Sequence, residues 1–159
     1  MSALANHAFA KMNGIGNESV VVDLRDSKGQ VSAEEARAVA SPAGGVPYDQ
    51  LMVLQPPRLD GTEAFISIYN NDGSEAGACG NATRCVASLL MAESGQEHVT
   101  IRTISGALPA KALPDGLIQV DMGPPRLGWQ DVPLAREADT LRLRFTEDNG
   151  DVWQPSRLI

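Results

Sequence analysis

The sequence predicts an α+β domain in which a mostly antiparallel, curved β-sheet or barrel wraps around one central buried helix. Three observations carry that expectation. Short apolar runs bounded by Gly, Pro, Asn and Asp recur along the chain as strands. One helical segment, from about residue 81 to 94, is apolar on nearly every face, and such a helix belongs inside a fold. Aromatic residues make up 4% of the 159, so the core must be built mainly from Val, Ile, Leu and Ala.

The elements follow in chain order. Residues 8–12 and 19–24 read as strands joined by the tight turn Asn13-Gly14-Ile15-Gly16-Asn17, where glycine permits positive φ. Ser32-Ala33-Glu34-Glu35 has the form of a capping box and opens a helix that reaches about Ala40, before Pro42. Residues 41–47 hold two prolines and two glycines and read as a loop. Residues 51–54 and 64–69 are strands; in the second, Ile66 and Ile68 take one face while Phe65, Ser67 and Tyr69 take the other. The apolar helix comes next, with Arg84 and Glu93 as its only charges and Gly95 as its stop. Strands at residues 99–103, 107–112 and 117–121 complete a domain spanning residues 1–128. Residues 129–159 form a tail in which only 141–145 reads as a strand. Neither a repeat nor a low-complexity tract interrupts the chain.

Composition narrows the function. With 43% hydrophobic and 21% charged residues, the chain has the balance of a soluble globular protein. Its net charge of −7, from 13 Lys+Arg against 20 Asp+Glu, argues against nucleic acid or an anionic membrane as the main partner. No apolar stretch approaches membrane-spanning length, and the first 13 residues lack the apolar core of a secretory signal. Two cysteines in this setting point to a reduced, cytoplasmic protein. Two Cys and two His without a compact cluster predict no metal site.

The chemistry concentrates in residues 70–86, Asn-Asn-Asp-Gly-Ser-Glu-Ala-Gly-Ala-Cys-Gly-Asn-Ala-Thr-Arg-Cys-Val. Cys79 stands in a Gly-rich turn immediately before the apolar helix. There the free N–H groups and positive dipole end of the helix favour thiolate, the form in which cysteine acts as base or nucleophile. The same N–H groups can hold a carboxylate or phosphate beside it. Gly77 and Gly80 leave space for a ligand to approach the backbone, and Asn70, Asn71 and Asn81 supply amides. Cys85, further along the helix, reads as core packing. Asn17 either tolerates its glycine-rich bend or orients a ligand group. Asp49-Gln50 is open between loop-edge solvation and ligand contact. Arg84 in the first helical turn is unfavourable for the dipole and calls for a carboxylate partner. His7 and His98 read as surface residues, and Gly14-Ile15-Gly16 precedes a strand, so it is no dinucleotide fingerprint.

Lys11-Met12-Asn13-Gly14-Ile15-Gly16-Asn17, Asp49-Gln50, Tyr69-Asn70-Asn71-Asp72-Gly73-Ser74-Glu75 and Cys79-Gly80-Asn81-Ala82-Thr83-Arg84-Cys85 together resemble the diaminopimelate epimerases over about residues 8 to 125. The resemblance implies cofactor-independent inversion of one α-carbon of LL-diaminopimelate to the meso form, on the way to lysine and peptidoglycan. It implies no metal and no pyridoxal phosphate. It also implies a fold of two pseudo-symmetric halves with the substrate between them. Cys79 would be one of two thiol acid/base groups acting on opposite faces of the carbon. Asn17, Gln50, Asn70, Gly80 and Asn81 would contact the substrate, with the Gly80 and Asn81 N–H groups facing its α-carboxylate.

The chain departs from that family at Asn13, where His is usual, at Glu18-Ser19, where Asp-Phe is common, and at Ala82, where Gly usually follows Cys-Gly-Asn. Nothing after Cys85 resembles the family's second half, which supplies the partner thiol. The expected partner is therefore the missing half-domain, and the chain alone is expected to be inactive. Three other readings use the same residues: a proline or hydroxyproline racemase, a homodimer placing two Cys79 thiols face to face, and a non-catalytic anion-binding module.

Overall fold

In the computed structural model of the chain, residues 2–27, 29–42, 45–132, 134–146 and 152–153 are described. The chain divides into two units, Met1–Met122 and Gly123–Ile159. The first unit carries β1 (Phe9–Gly14), β2 (Asn17–Asp23), α1 (Ala33–Ala40), β3 (Gln50–Gln55), β4 (Ala64–Asn70), β5 (Glu75–Ala76), α2 (Gly80–Ser94), β6 (His98–Thr103), β7 (Gly106–Ala112) and β8 (Ile118–Val120). The strands form one sheet in the order β1-β2-β3-β4-β6-β7-β8, with β5 paired beside the end of β4.

Neighbouring strands are antiparallel except β2 with β3 and β4 with β6. A parallel pair needs a crossover, and α1 and α2 are those two crossovers. Both step the same way across the sheet, but β2 and β4 run in opposite directions. Right-handed crossovers then place the two helices on opposite faces. The cores follow that division. Ala36 of α1 packs with Val20, Val22, Leu51, Val53 and Tyr69, whereas Val86 and Leu90 of α2 pack with Val21, Met52, Leu54, Ile66 and Ile68. Alternate residues of β2, β3 and β4 feed the two cores, so these strands are buried on both sides.

The helix α2 packs against β1 and β8, the two margins of the sheet, as well as against β2, β3, β6 and β7. A sheet touching one helix at both margins has to curl around it, and the expected fold class is borne out as a curled half-barrel of mixed pairing. Gly14 makes the closest approach possible. A Cβ there would sit 2.8 Å from the Asn81 carbonyl oxygen and 3.2 Å from Cys85 Sγ. Burial of α2 is less complete than its composition suggests. Ala82, Thr83, Cys85, Val86, Ala87, Leu90 and Met91 are buried, but Ser88 and Ala92 are exposed one turn apart. At its far end Arg25 donates to both Asp23 and Glu93, tying β2 to the last turn of the helix. Gly95 stops the helix at φ 68, as expected.

Ser32 caps α1: its hydroxyl accepts from the Glu35 N–H at 3.2 Å, and Glu35 Oε2 accepts from the Ser32 N–H at 2.9 Å. The Ser32 N–H first, and the Ala3 N–H second, hold the Glu35 carboxyl down at about 2. A depressed carboxyl contributes stability above its ordinary value of 4.5, and that contribution is lost as pH falls toward 2. Ser32→Ala is expected to cost about 1 kcal/mol of stability at neutral pH, read from the urea midpoint.

The first turn is tighter than expected. β1 and β2 extend through Gly14 and Asn17 and leave only Ile15 and Gly16, at φ 55 and 83, in a two-residue turn whose twist suits a hairpin. Asn13 Oδ1 accepts from the Gly16 N–H at 2.9 Å and fixes it. β5 was not expected; Glu75 and Ala76 have little intrinsic strand preference and owe their conformation to pairing with Tyr69 and Ile68. In the second unit, β9 (Phe145–Thr146) pairs antiparallel with β10 (Val152–Trp153). Of the strand expected over residues 141–145, only the last residue is extended. The Asp139 carboxylate accepts from the Leu141 N–H and the Asp139 carbonyl from the Arg142 N–H, turning the chain there.

Candidate active site

Register and alternation bring one set of polar side chains together. Ser19 of β2 lies opposite Gln50 of β3, and Gln50 opposite Asn70 of β4. Counting by twos, Asn17 and Ser19 share a face with Val21, Gln50 with Met52 and Leu54, and Asn70 with Ile66 and Ile68. That face is the concave one holding α2. All four therefore stand at one end of the half-barrel, the end at which α2 begins.

Cys79 is the N-cap of α2, extended at φ −146 and ψ 111, and its side chain makes no capping hydrogen bond. It is half-buried, and its thiol reaches Asn17 Oδ1 at 3.7 Å. The N–H groups of Gly80, Asn81 and Ala82 have no carbonyl partner within the helix by its geometry, and no acidic residue occupies the first turn. A full helix of fifteen residues thus presents its positive end beside a thiol without an internal anion to offset it. At Gly80 an added Cβ would meet Arg84 Nη1 and Met122 Sδ at 3.8 Å, ordinary contact distances.

Two expectations about the surroundings change. Gly77 does not leave room for a ligand: a Cβ there would lie 2.2 Å from Ser105 Oγ, so the missing side chain admits the β6–β7 turn. Arg84, for which the sequence suggests a carboxylate partner, donates to Asn81 Oδ1. That contact holds the Asn81 amide with its oxygen engaged and its NH2 available.

Of Asp49-Gln50, the two members separate in role. Asp49 is structural: its N–H donates to the Glu18 carbonyl at 2.9 Å and its carboxylate accepts from the Glu18 N–H at 2.7 Å. Gln50 points inward, and its Nε2 lies 3.4 Å from Asn70 Oδ1. Asn71 is exposed in the turn after β4, and His7 and His98 are exposed as expected. Cys85 is 6% exposed, and burial pushes its thiol pKa up. It packs as a core residue.

Sequence reasoning passed over Ser19 and Thr83. Both are fully buried, and among the described residues their hydroxyls find no hydrogen-bond partner. The same holds for Gln50 Oε1. The signal for Ser19 was its parity with Asn17 and Val21, which aims it at the helix; the pairing with Gln50 was needed to see what it stands beside. Other departures from the usual family residues are held locally, Asn13 by the hairpin turn and Glu18 by an ion pair with Lys11 at 2.8 Å. An apolar groove of about 410 Å³, lined by Phe9, Leu54, Leu89 and Leu90 among others, lies by the opposite end of α2 and is separate from Cys79. Among the described residues, no three His, Cys, Asp or Glu side chains are grouped to hold a metal, and no helix is long and apolar enough to cross a membrane.

A family model described as diaminopimelate epimerase matches residues 9–128. Curated diaminopimelate epimerases from Nitrobacter hamburgensis and Afipia carboxidovorans are 67% and 63% identical over 138 residues, each match covering 86% of this chain and 47% of the relative. The chain thus spans about half the length of the curated relatives it matches. Among solved structures, a hydroxyproline epimerase from Agrobacterium vitis with bound trans-4-OH-L-proline aligns at a TM-score of 0.60 and 15% identity, covering 92% of this chain and 46% of that one. A probable proline racemase from Agrobacterium radiobacter aligns at 0.58 and 18%, covering 92% and 47%. At these identities the likeness is one of fold.

Proposed function

The chain belongs to the diaminopimelate epimerase family, and from that premise we propose that it forms one half of a site inverting the α-carbon of LL-diaminopimelate to the meso form. The observation that carries the reading is the placement of Cys79. Cys79 is the N-cap residue at the open end of α2, and its thiol reaches Asn17, on the concave face that also holds Gln50 and Asn70.

In this reading the Cys79 thiolate removes the α-proton from one face of the carbon. Negative charge then grows toward the α-carboxylate, where the Gly80 and Asn81 N–H groups and the positive end of α2 stabilise it. Inversion requires a second acid on the opposite face. Cys85 cannot serve, because it is sealed in the core and follows Cys79 on the same helix. The second thiol therefore comes from beyond this chain, from the half its relatives possess. Residues 1–128 act as the first half of a two-domain enzyme, with 129–159 as a tail, and the 159 residues alone do not epimerise. The chemistry as drawn uses neither pyridoxal phosphate nor a metal. The product serves lysine and peptidoglycan synthesis, which places the protein in the cytoplasm.

The test joins this chain to the remaining half of the Nitrobacter hamburgensis relative and offers LL-diaminopimelate, proline and hydroxyproline in turn. Turnover of diaminopimelate alone is expected. Turnover of proline or hydroxyproline instead would replace the substrate assignment, and epimerisation by the unjoined 159 residues would defeat the half-site reading.

A further inference from the structure

Four side chains form one hydrogen-bonded line from the surface into the concave face. Asp72 Oδ1 accepts from the Ser74 hydroxyl at 2.6 Å and from the Ser74 N–H at 2.8 Å. Ser74 Oγ accepts from Asn70 Nδ2 at 3.0 Å, and Asn70 Oδ1 from Gln50 Nε2 at 3.4 Å. At the inner end Gln50 Oε1 is buried and unpartnered, and across the strand pair stands Ser19, fully buried with its own hydroxyl unpartnered.

The direction of every bond in this line is dictated from its outer end. An ionised carboxylate offers lone pairs only, so the Ser74 proton must point at Asp72. Ser74 Oγ is then left with lone pairs for Asn70, which must answer with its NH2 and turn its oxygen toward Gln50. Gln50 answers with its own NH2, and its oxygen is left facing inward. The Ser74 hydroxyl and N–H hold the Asp72 carboxyl below its ordinary range, so the charge that sets this order persists at neutral pH.

We propose that Asp72 is a positioning residue that fixes the orientation of the Asn70 and Gln50 amides, so that the site ends in a bare acceptor, Gln50 Oε1, suited to an N–H donor of the substrate's ammonium group. A buried acceptor without a partner is costly, and a cationic donor is the strongest way to satisfy it. Asp72 itself is exposed and touches no part of the concave face; it acts through Ser74 and Asn70. The choice of an ammonium donor rests on the proposed function, whereas the orientation of the amides does not.

The alternative role for Asp72 is to stabilise the turn between β4 and β5, and Asp72→Asn separates the two. Asn keeps an oxygen for the Ser74 N–H and so keeps the turn. Its NH2 can also donate to Ser74 Oγ, which removes the constraint on the rest of the line. In the 159-residue chain, the side-chain NH2 resonances of both Asn70 and Gln50 are expected to shift in Asp72→Asn, while the backbone resonances of β3 and α2 stay in place. An unmoved Gln50 NH2 would overturn the proposal. Should that variant not fold, Ser74→Ala cuts the next link and is read by the same signals. Titration of the wild-type chain with LL-diaminopimelate then tests the donor: the Gln50 NH2 responds to the free diamine and not to its N,N′-diacetyl derivative, in which both nitrogens are uncharged amides, and Asp72→Asn weakens the response by about tenfold, the loss of one hydrogen bond to a charged group. An equal response to the diacetyl derivative, or none to the free diamine, would overturn the assignment to an ammonium group while leaving the orientation of the amides standing.

Discussion

Replacing Cys79 by alanine in the joined enzyme is expected to lower kcat for epimerisation by at least about 10³-fold, within the range that a positioned acid/base group supplies. The variant removes the only thiol at the start of α2 and leaves the helix end intact, because Cys79 makes no capping bond through its side chain. Folding and substrate affinity should therefore change little, and the loss should fall on kcat rather than KM. Cys85→Ala provides the contrast. It opens a small gap under Gly14 and costs stability, yet it keeps turnover, since the Cys85 thiol faces the core. Comparable losses from both substitutions would mean that Cys79 matters through packing.

The second large effect is expected at Gly14. Alanine there places a methyl group 2.8 Å from a backbone oxygen and 3.1 Å from a backbone carbon of Asn81, neither of which can swing aside as a side-chain tip would. The start of α2 must move off β1, and with it Cys79, Gly80 and Asn81. The expected cost is about 1–3 kcal/mol in urea denaturation, as for other overpacked positions. Activity should fall in parallel even where the protein remains folded, because the thiol and the N–H groups shift away from Asn17. Gly16→Ala is the control two residues away. It meets open space but sits at φ 83, so it carries a backbone cost of about 1–2 kcal/mol and leaves α2 where it is.

Local patterns in the sequence were enough to find the scaffold. Ile66 and Ile68 alternate with Phe65 and Tyr69, and the structure sends the first pair to the α2 core and Tyr69 to the other. The apolar run after Cys79 is the helix the sheet encloses, and Gly95 ends it. Asn17, Gln50 and Asn70 were grouped with Cys79 by the family resemblance, because their turns and strand ends alone left Asn17 and Gln50 open between structural and ligand roles; strand register then sets Gln50 beside Asn70, and the thiol of Cys79 reaches Asn17. What could not be read depended on pairing between distant segments. Ser19 gains its meaning only from lying opposite Gln50, and Gly77 only from the Ser105 hydroxyl that fills its place. Arg84 finds an amide oxygen within its own turn, a choice that charge counting along a helix does not foresee. β5 exists because β4 offers it an edge, and no preference of Glu75 or Ala76 announces it.

The claim on which the rest depends is that the Cys79 sulfur exchanges a hydrogen with the substrate α-carbon. Solvent deuterium entering that carbon in the joined enzyme measures it directly, followed by NMR from each diaminopimelate stereoisomer separately. The account predicts that the wild-type enzyme labels the α-carbon as it inverts it, and that Cys79→Ala stops labelling from the isomer whose α-hydrogen faces α2. Undiminished labelling of both isomers in the alanine variant would contradict it.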